Sequence, residues 1–269
     1  MACNEATPRD AFNRVADTIQ GTASENPANA WMRKMSRREI LATFPSGAAL
    51  LEIGCGAGAD AVFFAERGYR VAALGISDRM VELARERVSA SQVERRVLIW
   101  RGRIREVADR LVRAPWFPFD GAYANFSLAY EESLRDVAQI VWGLLRPGAW
   151  FIITVPNKLC VSEPAIRLAC WQVRRVLGRF REPLWGTIRG STVRFRTYTT
   201  ASVRGLLEGL FVLRGSSGVP VFMPPPSFYN PEIEPLRASL EFFDNHLATR
   251  FPWRTLGDTT LFKFQKVEP

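Results

Sequence analysis

Histidine is almost absent from this chain of 269 residues; His246 is the single one. Cysteine is scarce as well: Cys3, Cys55, Cys160 and Cys170 stand far apart and form no CxxC pair. Clustered thiols and imidazoles are what structural zinc sites and histidine-held catalytic metals are made from, so no metal centre is expected. A serine–histidine–aspartate triad would have to be built on His246, and little around it supports one. The same spacing excludes a disulfide framework. No run approaches the ~18 consecutive apolar residues of a membrane-spanning helix. The start, Met1-Ala2-Cys3-Asn4-Glu5, lacks the basic region and apolar stretch of a secretion signal. A reduced, cytoplasmic setting is the expectation.

What is present is apolar material and positive charge. Hydrophobic residues make up 47% of the chain, enough for a sizeable core, which excludes general disorder. At ~100–200 residues per domain the length allows one large domain or two small ones. The net charge is +9, and it is uneven: Lys158–Arg214 carries eleven basic residues against three acidic ones. Such a field attracts nucleic acid, an anionic membrane surface or an acidic small substrate, unless it is simply a solvated arginine-rich face. No aromatic–basic motif of an RNA-binding module accompanies it, so nucleic acid is the weakest of the three. A basic amphipathic helix over Ala165–Phe180 suits peripheral contact with an anionic bilayer. Oligomeric state is not legible.

Along the chain, residues 1–47 read as an arm with a short helix at Asp10–Asp17 and a helix at Ala30–Thr43, stopped by Phe44-Pro45-Ser46-Gly47. Regular alternation follows. Strands are expected at 48–53, 69–74, 96–100, 119–126 and 149–155, and helices at 60–67, 78–89, 104–112 and 131–145, with Arg146-Pro147-Gly148 as a turn. This pattern predicts an α/β, doubly wound, mostly parallel sheet. Beyond Pro156 a hairpin is expected over Thr187–Tyr198, a helix near 200–207, a strand at 211–215, a helix near 236–248 and a last strand at 259–266. The division expected is one domain, 1–269, with two cap insertions at 157–200 and 217–257 that fold over the sheet's carboxyl edge, where such sheets bind ligands.

The strongest local signal is Glu52-Ile53-Gly54-Cys55-Gly56-Ala57-Gly58-Ala59, between a strand and a helix. Glycine there permits a tight turn and close approach of a ligand to the backbone, and free N–H groups of the next helix favour an electron-rich group. Read as Gly54-x-Gly56-x-x-Ala59 it also meets the dinucleotide fingerprint. That fingerprint expects an acid ~20 residues later, about where Gly75 stands, so NAD loses ground.

With Phe119-Asp120-Gly121-Ala122-Tyr123-Ala124-Asn125-Phe126 and Leu144-Leu145-Arg146-Pro147-Gly148-Ala149-Trp150, in order and sensibly spaced, this loop resembles the class I S-adenosylmethionine-dependent methyltransferases over about residues 48–156. The tail, Arg250-Phe251-Pro252-Trp253 through Leu261-Phe262-Lys263-Phe264, looks like that family's closing hairpin. The resemblance implies a Rossmann-like, seven-stranded sheet whose last strand is antiparallel, and S-adenosylmethionine as cofactor. It assigns cofactor contact to Glu52, Gly54, Cys55, Gly56 and Gly58, to Gly75 and Ile76, to Arg103 and Ile104, and to Asn125 and Phe126.

Three positions depart from the family pattern. Gly75 stands where an acid usually accepts from the ribose hydroxyls, and Asp78 is expected to cap the following helix instead. Arg103 stands where an Asp usually accepts from adenine; with five donors and no acceptor it suits an anionic ligand. Ile19-Gln20 replaces an aromatic–acid pair that would close the pocket. For the chemistry, Tyr130 and Glu131 are the candidates for touching the acceptor, although Glu131 and Glu132 equally suit a helix N-terminus stabilised by its dipole. Trp171, Arg194, Arg196 and Tyr198 are the candidates for substrate contact, with a packed tryptophan and solvated arginines as the alternative. The expected activity is methyl transfer to a small acidic or aromatic molecule, in small-molecule biosynthesis. A non-methylating cyclase, lyase or decarboxylase on the same fold, and a non-catalytic binding protein, are the alternatives that Gly75 and Arg103 keep open.

Overall fold

The computed structural model describes residues 5–22, 26–169, 171–172, 178–180, 184–188 and 190–267. Helices α1 (Pro8–Thr22) and α2 (Pro27–Thr43) precede strand β1 (Ala49–Ile53). Alternation then runs through α3 (Ala59–Ala65), β2 (Arg70–Gly75), α4 (Asp78–Ala90), β3 (Val97–Arg101), α5 (Ile104–Leu111), β4 (Phe119–Ala124), α6 (Leu134–Leu144) and β5 (Leu145–Pro156). The chain continues as α7 (Ser162–Ala169), β6 (Leu184–Ile188), β7 (Ser191–Phe195), α8 (Thr200–Leu207), β8 (Phe211–Val219), α9 (Arg237–Leu247) and β9 (Thr259–Lys266).

One seven-stranded sheet has the order β3-β2-β1-β4-β5-β9-β8; β1 to β5 are parallel, and β9 runs antiparallel to both its neighbours. Side chains alternate across a strand, so β1 feeds two cores. Leu51 and Ile53 pack with α5, α6 and α8, while Leu50 packs with α2 and α3 on the opposite face. Glu52 shares the face of Leu50, and that places a carboxyl group beneath α2. The strand order reverses between β1 and β4, and the crevice beyond their carboxyl ends is where a doubly wound sheet receives ligands.

Several boundaries differ from expectation. α1 runs well past Asp17, because packing of Val15 and Ala16 on Met80 and Leu83 of α4 supports it. α6 begins at Leu134, capped by Ser133, because Leu128–Tyr130 forms a separate 3₁₀ turn. Arg146-Pro147-Gly148 lies within β5, where the register against β4 shifts between Phe119 and Gly121. The helix expected to reach Phe180 is described as α7 alone; Trp171 has φ 57°, outside the helical range, and residues 170 and 173–177 lie outside the described residues. β6 and β7 do form an antiparallel hairpin, beginning earlier than expected. Among the described residues no helix is long and apolar enough to cross a membrane.

The segment after β8 is held to α2 by one buried carboxylate. Asp244 of α9 accepts from the backbone N–H groups of Val221 (2.8 Å), Phe222 (2.9 Å) and Met223 (3.2 Å) and from the Trp31 indole N–H at 3.0 Å. Asp244→Ala strands these donors, and the expected cost is about 2–3 kcal/mol. A urea midpoint equal to that of the wild type would show that the segment does not depend on this carboxylate.

Candidate active site

The turn after β1 is closed by Leu74, whose carbonyl accepts from the N–H groups of Gly54 (2.9 Å) and Cys55 (2.7 Å). Gly54 has φ +85° and a Cβ there would sit 2.2 Å from Ser127 Cβ, so both backbone and neighbour require glycine. Gly56, at φ +50°, has nothing within 4 Å of its Cβ position and opens onto a cavity of about 860 Å³. Cys55, Glu52, Gly75, Ile76, Arg103, Ile104, Asn125, Phe126, Tyr130 and Glu131 also line that cavity. Gly58 is buried against Ala84 at the start of α3, behind the cavity wall. Phe126 holds the uncommon φ of 58°, fixed by its N–H donating to Thr154 Oγ1 at 2.7 Å.

The roof comes from the N-terminal helices, which the sequence predicts as helices without placing α2 over the cavity. Phe12 of α1 meets the Tyr130 ring edge-on at 5.2 Å, and α2 contributes Trp31, Arg33, Lys34, Met35, Arg37 and Arg38. Asp60 fastens α2 in place. Its buried Oδ1 meets Arg37 Nε at 2.7 Å and Arg33 Nη1 at 3.1 Å, and its Oδ2 accepts from Asn125 Nδ2 at 3.1 Å. Asn125 Oδ1 in turn accepts from Ser36 Oγ of α2. The sequence signals for this were Asp60 at the start of α3 and two arginines one helical turn apart on α2, neither distinguishable from surface charge.

Two buried carboxyls therefore share the floor in different states. Burial pushes the Glu52 carboxyl up to about 8, with the charge of Asp60 adding to it. Burial also acts on Asp60, yet Arg33 and Arg37 outweigh it and hold that carboxyl below its ordinary value. The Tyr123 hydroxyl, buried beside Glu52, offsets part of the upward push on the Glu52 carboxyl. Burial pushes the Cys55 thiol up, with Glu52 adding to it, so this cysteine is no nucleophile.

The chemistry candidates are brought to the cavity but are not free. Burial pushes the Tyr130 phenol up, so it stays protonated. Glu131 pairs with Arg103 at 2.7 Å across the cavity wall, which occupies the arginine expected to take an anionic ligand. Asp78 is not the cap of α4: Ser77 is, and Asp78 is held down to about 2 by Arg9 and then Arg101, outside the cavity. The four substrate candidates are not brought there. Trp171 is 90% exposed, Arg194 and Arg196 point to solvent, and Tyr198 is buried where Asn157 bridges to its backbone. The physical reason is α1, which stands between: Phe12 lines the cavity, while Ile188 and Ser191 of the hairpin pack on Val15, Ala16 and Arg14. No described residue of 157–200 or 217–257 is among those lining the cavity. His246 is exposed, stacked on Phe242. Arg189 and the side chains of Ile19 and Gln20 lie outside the described residues.

The model of a methyltransferase domain matches residues 25–204, more than half of the chain. The chain belongs to the methyltransferase-domain family. Among curated relatives, the S-adenosyl-L-methionine-dependent Diels-Alderase of Talaromyces variabilis is 29% identical over 135 residues, covering 49% of this chain and 45% of that protein. The malonyl-[acyl-carrier protein] O-methyltransferase of Salmonella typhimurium is 29% identical over 166 residues, 60% of this chain and 57% of its own. The chain thus spans about half the length of the curated relatives it matches. Among solved structures, the 1,6-didemethyltoxoflavin-N1-methyltransferase of Burkholderia thailandensis superposes with TM-score 0.56 at 18% identity, covering 97% of this chain and 87% of that one. An N-methyltransferase of Bradyrhizobium japonicum gives 0.55 at 13%, covering 96% and 100%. At these identities the likeness shows the shared fold.

Family membership brings S-adenosylmethionine as cofactor, and the residues present fit it. The open space over Gly56 admits the amino-acid end, and Glu52 lies in the lining of the same cavity. Arginine at position 56 is expected to fill that space and abolish binding of S-adenosylhomocysteine in a calorimetric titration; undiminished affinity would place the ligand elsewhere. Gly75→Asp would supply the acid that the family pattern has at this position, but its Cβ would lie 2.9 Å from Val81 Cγ2 and 3.1 Å from Cys55 Sγ. No gain in affinity is expected from it.

Glu52 also makes stability depend on pH. Its carboxyl keeps its proton to about pH 8 when folded and loses it near 4.5 when unfolded, so its contribution is full below about 4.5 and declines as pH rises toward 8. Glu52→Gln removes that decline. The melting temperature of the variant should exceed that of the wild type by a margin growing across this window; parallel melting curves would refute the assignment.

Proposed function

We propose that this protein transfers a methyl group from S-adenosylmethionine to a small acidic or aromatic molecule held between α2 and the glycine turn. The observation that carries this is the 860 Å³ cavity that joins the turn at Gly56 to the α2 roof, large enough for cofactor and acceptor together. When bound, the cofactor supplies an electrophilic methyl on a sulfonium. The protein's own part is positioning, since in-line displacement depends on proximity and orientation. Phe126, Tyr130, Phe12, Trp31 and Phe63 give the acceptor space its aromatic lining. Tyr130 is protonated and Glu131 is engaged by Arg103, so the wall presents no unpaired base from these two residues. An acceptor that arrives already ionised needs none. The free, buried thiols of Cys55 and Cys160 suit a reducing, cytoplasmic setting and a role in small-molecule biosynthesis.

A second reading is favoured by the same engagement of Glu131 and by the relative named a Diels-Alderase. On it, the cavity folds one substrate onto itself while the methyl group stays in place. Incubation with S-adenosylmethionine and a panel of aromatic and aliphatic acids separates the two. Methyl transfer is expected to yield S-adenosylhomocysteine in step with methylated product by mass spectrometry. An isomeric product with no S-adenosylhomocysteine would favour the second reading. Calorimetric silence with millimolar cofactor would remove both.

A further inference from the structure

At the α2–α4 corner of the cavity stand three guanidinium groups and one carboxylate, which only two of them contact. Arg33 and Arg37 both take Asp60 Oδ1, and Asp60 Oδ2 is already bonded to Asn125. Arg37 is fixed further: Nη2 donates to the Ala59 carbonyl at 2.8 Å, and its guanidinium lies 4.0 Å from the Phe63 ring. Arg87 is the third. It shares one face of α4 with Met80 and with Ala84, the residue that packs on Gly58, and this brings it to the same cavity. Among the described residues the Arg87 side chain has no ion pair and no hydrogen bond, although the residue is half-buried. Burial first, and then the charges of Arg33 and Arg37, lower its pKa, which places it within their field. Lys34 adds a further cation, 5.0 Å from the Trp31 ring.

Like charges partly removed from water repel unless an anion stands among them. The cofactor does not settle this imbalance, because it brings an ammonium and a sulfonium with its single carboxylate. We infer that the α2–α4 corner binds an oxyanion of the acceptor, a carboxylate or a phosphate, through Arg33 and Arg87, with Arg37 as the fixed anchor between them. The acceptor is then an acid, oriented with its anionic end at α2 and its reacting end toward Phe126. The inference rests on the methyl-transfer reading only in calling the anion's carrier the acceptor.

The test is a calorimetric titration of the protein, saturated with S-adenosylhomocysteine, with benzoate and separately with phenyl phosphate. At low salt the wild type is expected to bind one or both. Benzoate alone identifies a carboxylate, and phenyl phosphate alone a phosphate. Arg87→Gln and Arg33→Gln should each weaken the bound probe by at least about tenfold, the loss of a charge-assisted hydrogen bond. Arg87→Lys should recover part of it, and affinity for S-adenosylhomocysteine should be unchanged in Arg87→Gln. Neither probe binding the wild type, or Arg87→Gln binding a probe as the wild type does, would overturn the inference. So would weakened S-adenosylhomocysteine binding in Arg87→Gln, since the corner would then serve the cofactor's own carboxylate. Failure of the wild type to bind S-adenosylhomocysteine would count against methyl transfer alone, and the same probe titrations on the ligand-free protein would still decide the anion site.

Discussion

The Asp60 carboxylate, buried where α3 begins, joins α3 to α2 through Arg33 and Arg37 and to the end of β4 through Asn125. α2 comes from a part of the chain that precedes the sheet, and its apolar residues alone would allow it to slide along the sheet face. The ion pairs set its position along that face, and with it the position of Trp31, Arg33 and Lys34 over the glycine turn. Asp244 performs the corresponding service from the other side, holding the Trp31 indole to the segment after β8. The second excursion therefore contributes to the cavity by supporting its roof rather than by forming its wall.

Charge in the cavity is sorted by environment. Glu52 and Asp60 are both buried carboxyls, but only Asp60 has arginines against it, so Asp60 carries the charge and Glu52 keeps a proton well above its usual range. Arg103 and Glu131 cancel each other. Two departures from the family's pattern acquire physical meaning on this view. Arg103 braces the wall by pairing with Glu131. Gly75 is small because Val81 and Cys55 occupy the space a side chain would need. The remaining positive charge of the cavity gathers at the α2–α4 corner.

Legibility followed the range of the interactions. The glycine turn, the strands that frame it, Asn125 and Phe126 were readable because each signal is confined to a few consecutive residues and has one structural meaning. Tyr130 and Glu131 were readable as lining residues, since they follow β4 directly; their protonation and pairing were not, because these depend on Phe12 and Arg103 from distant parts of the chain. In the arginine-rich stretch Arg194 and Arg196 face solvent, as does Trp171. An arginine that faces solvent and one that faces a cavity look alike in sequence, since both sit on the polar side of an amphipathic element.

By itself, then, the amino-acid order determined a doubly wound sheet with a ligand turn after its first strand, because hydrophobic period and glycine placement are local properties of the backbone. Only the tertiary structure decided which cations face the cavity. That choice belongs to α2 and α4, whose arginines stand 54 positions apart between Arg33 and Arg87 and converge through the packing of both helices around α3. Convergence over such a separation is a property of the folded core, where burial and a shared carboxylate decide which charges are used.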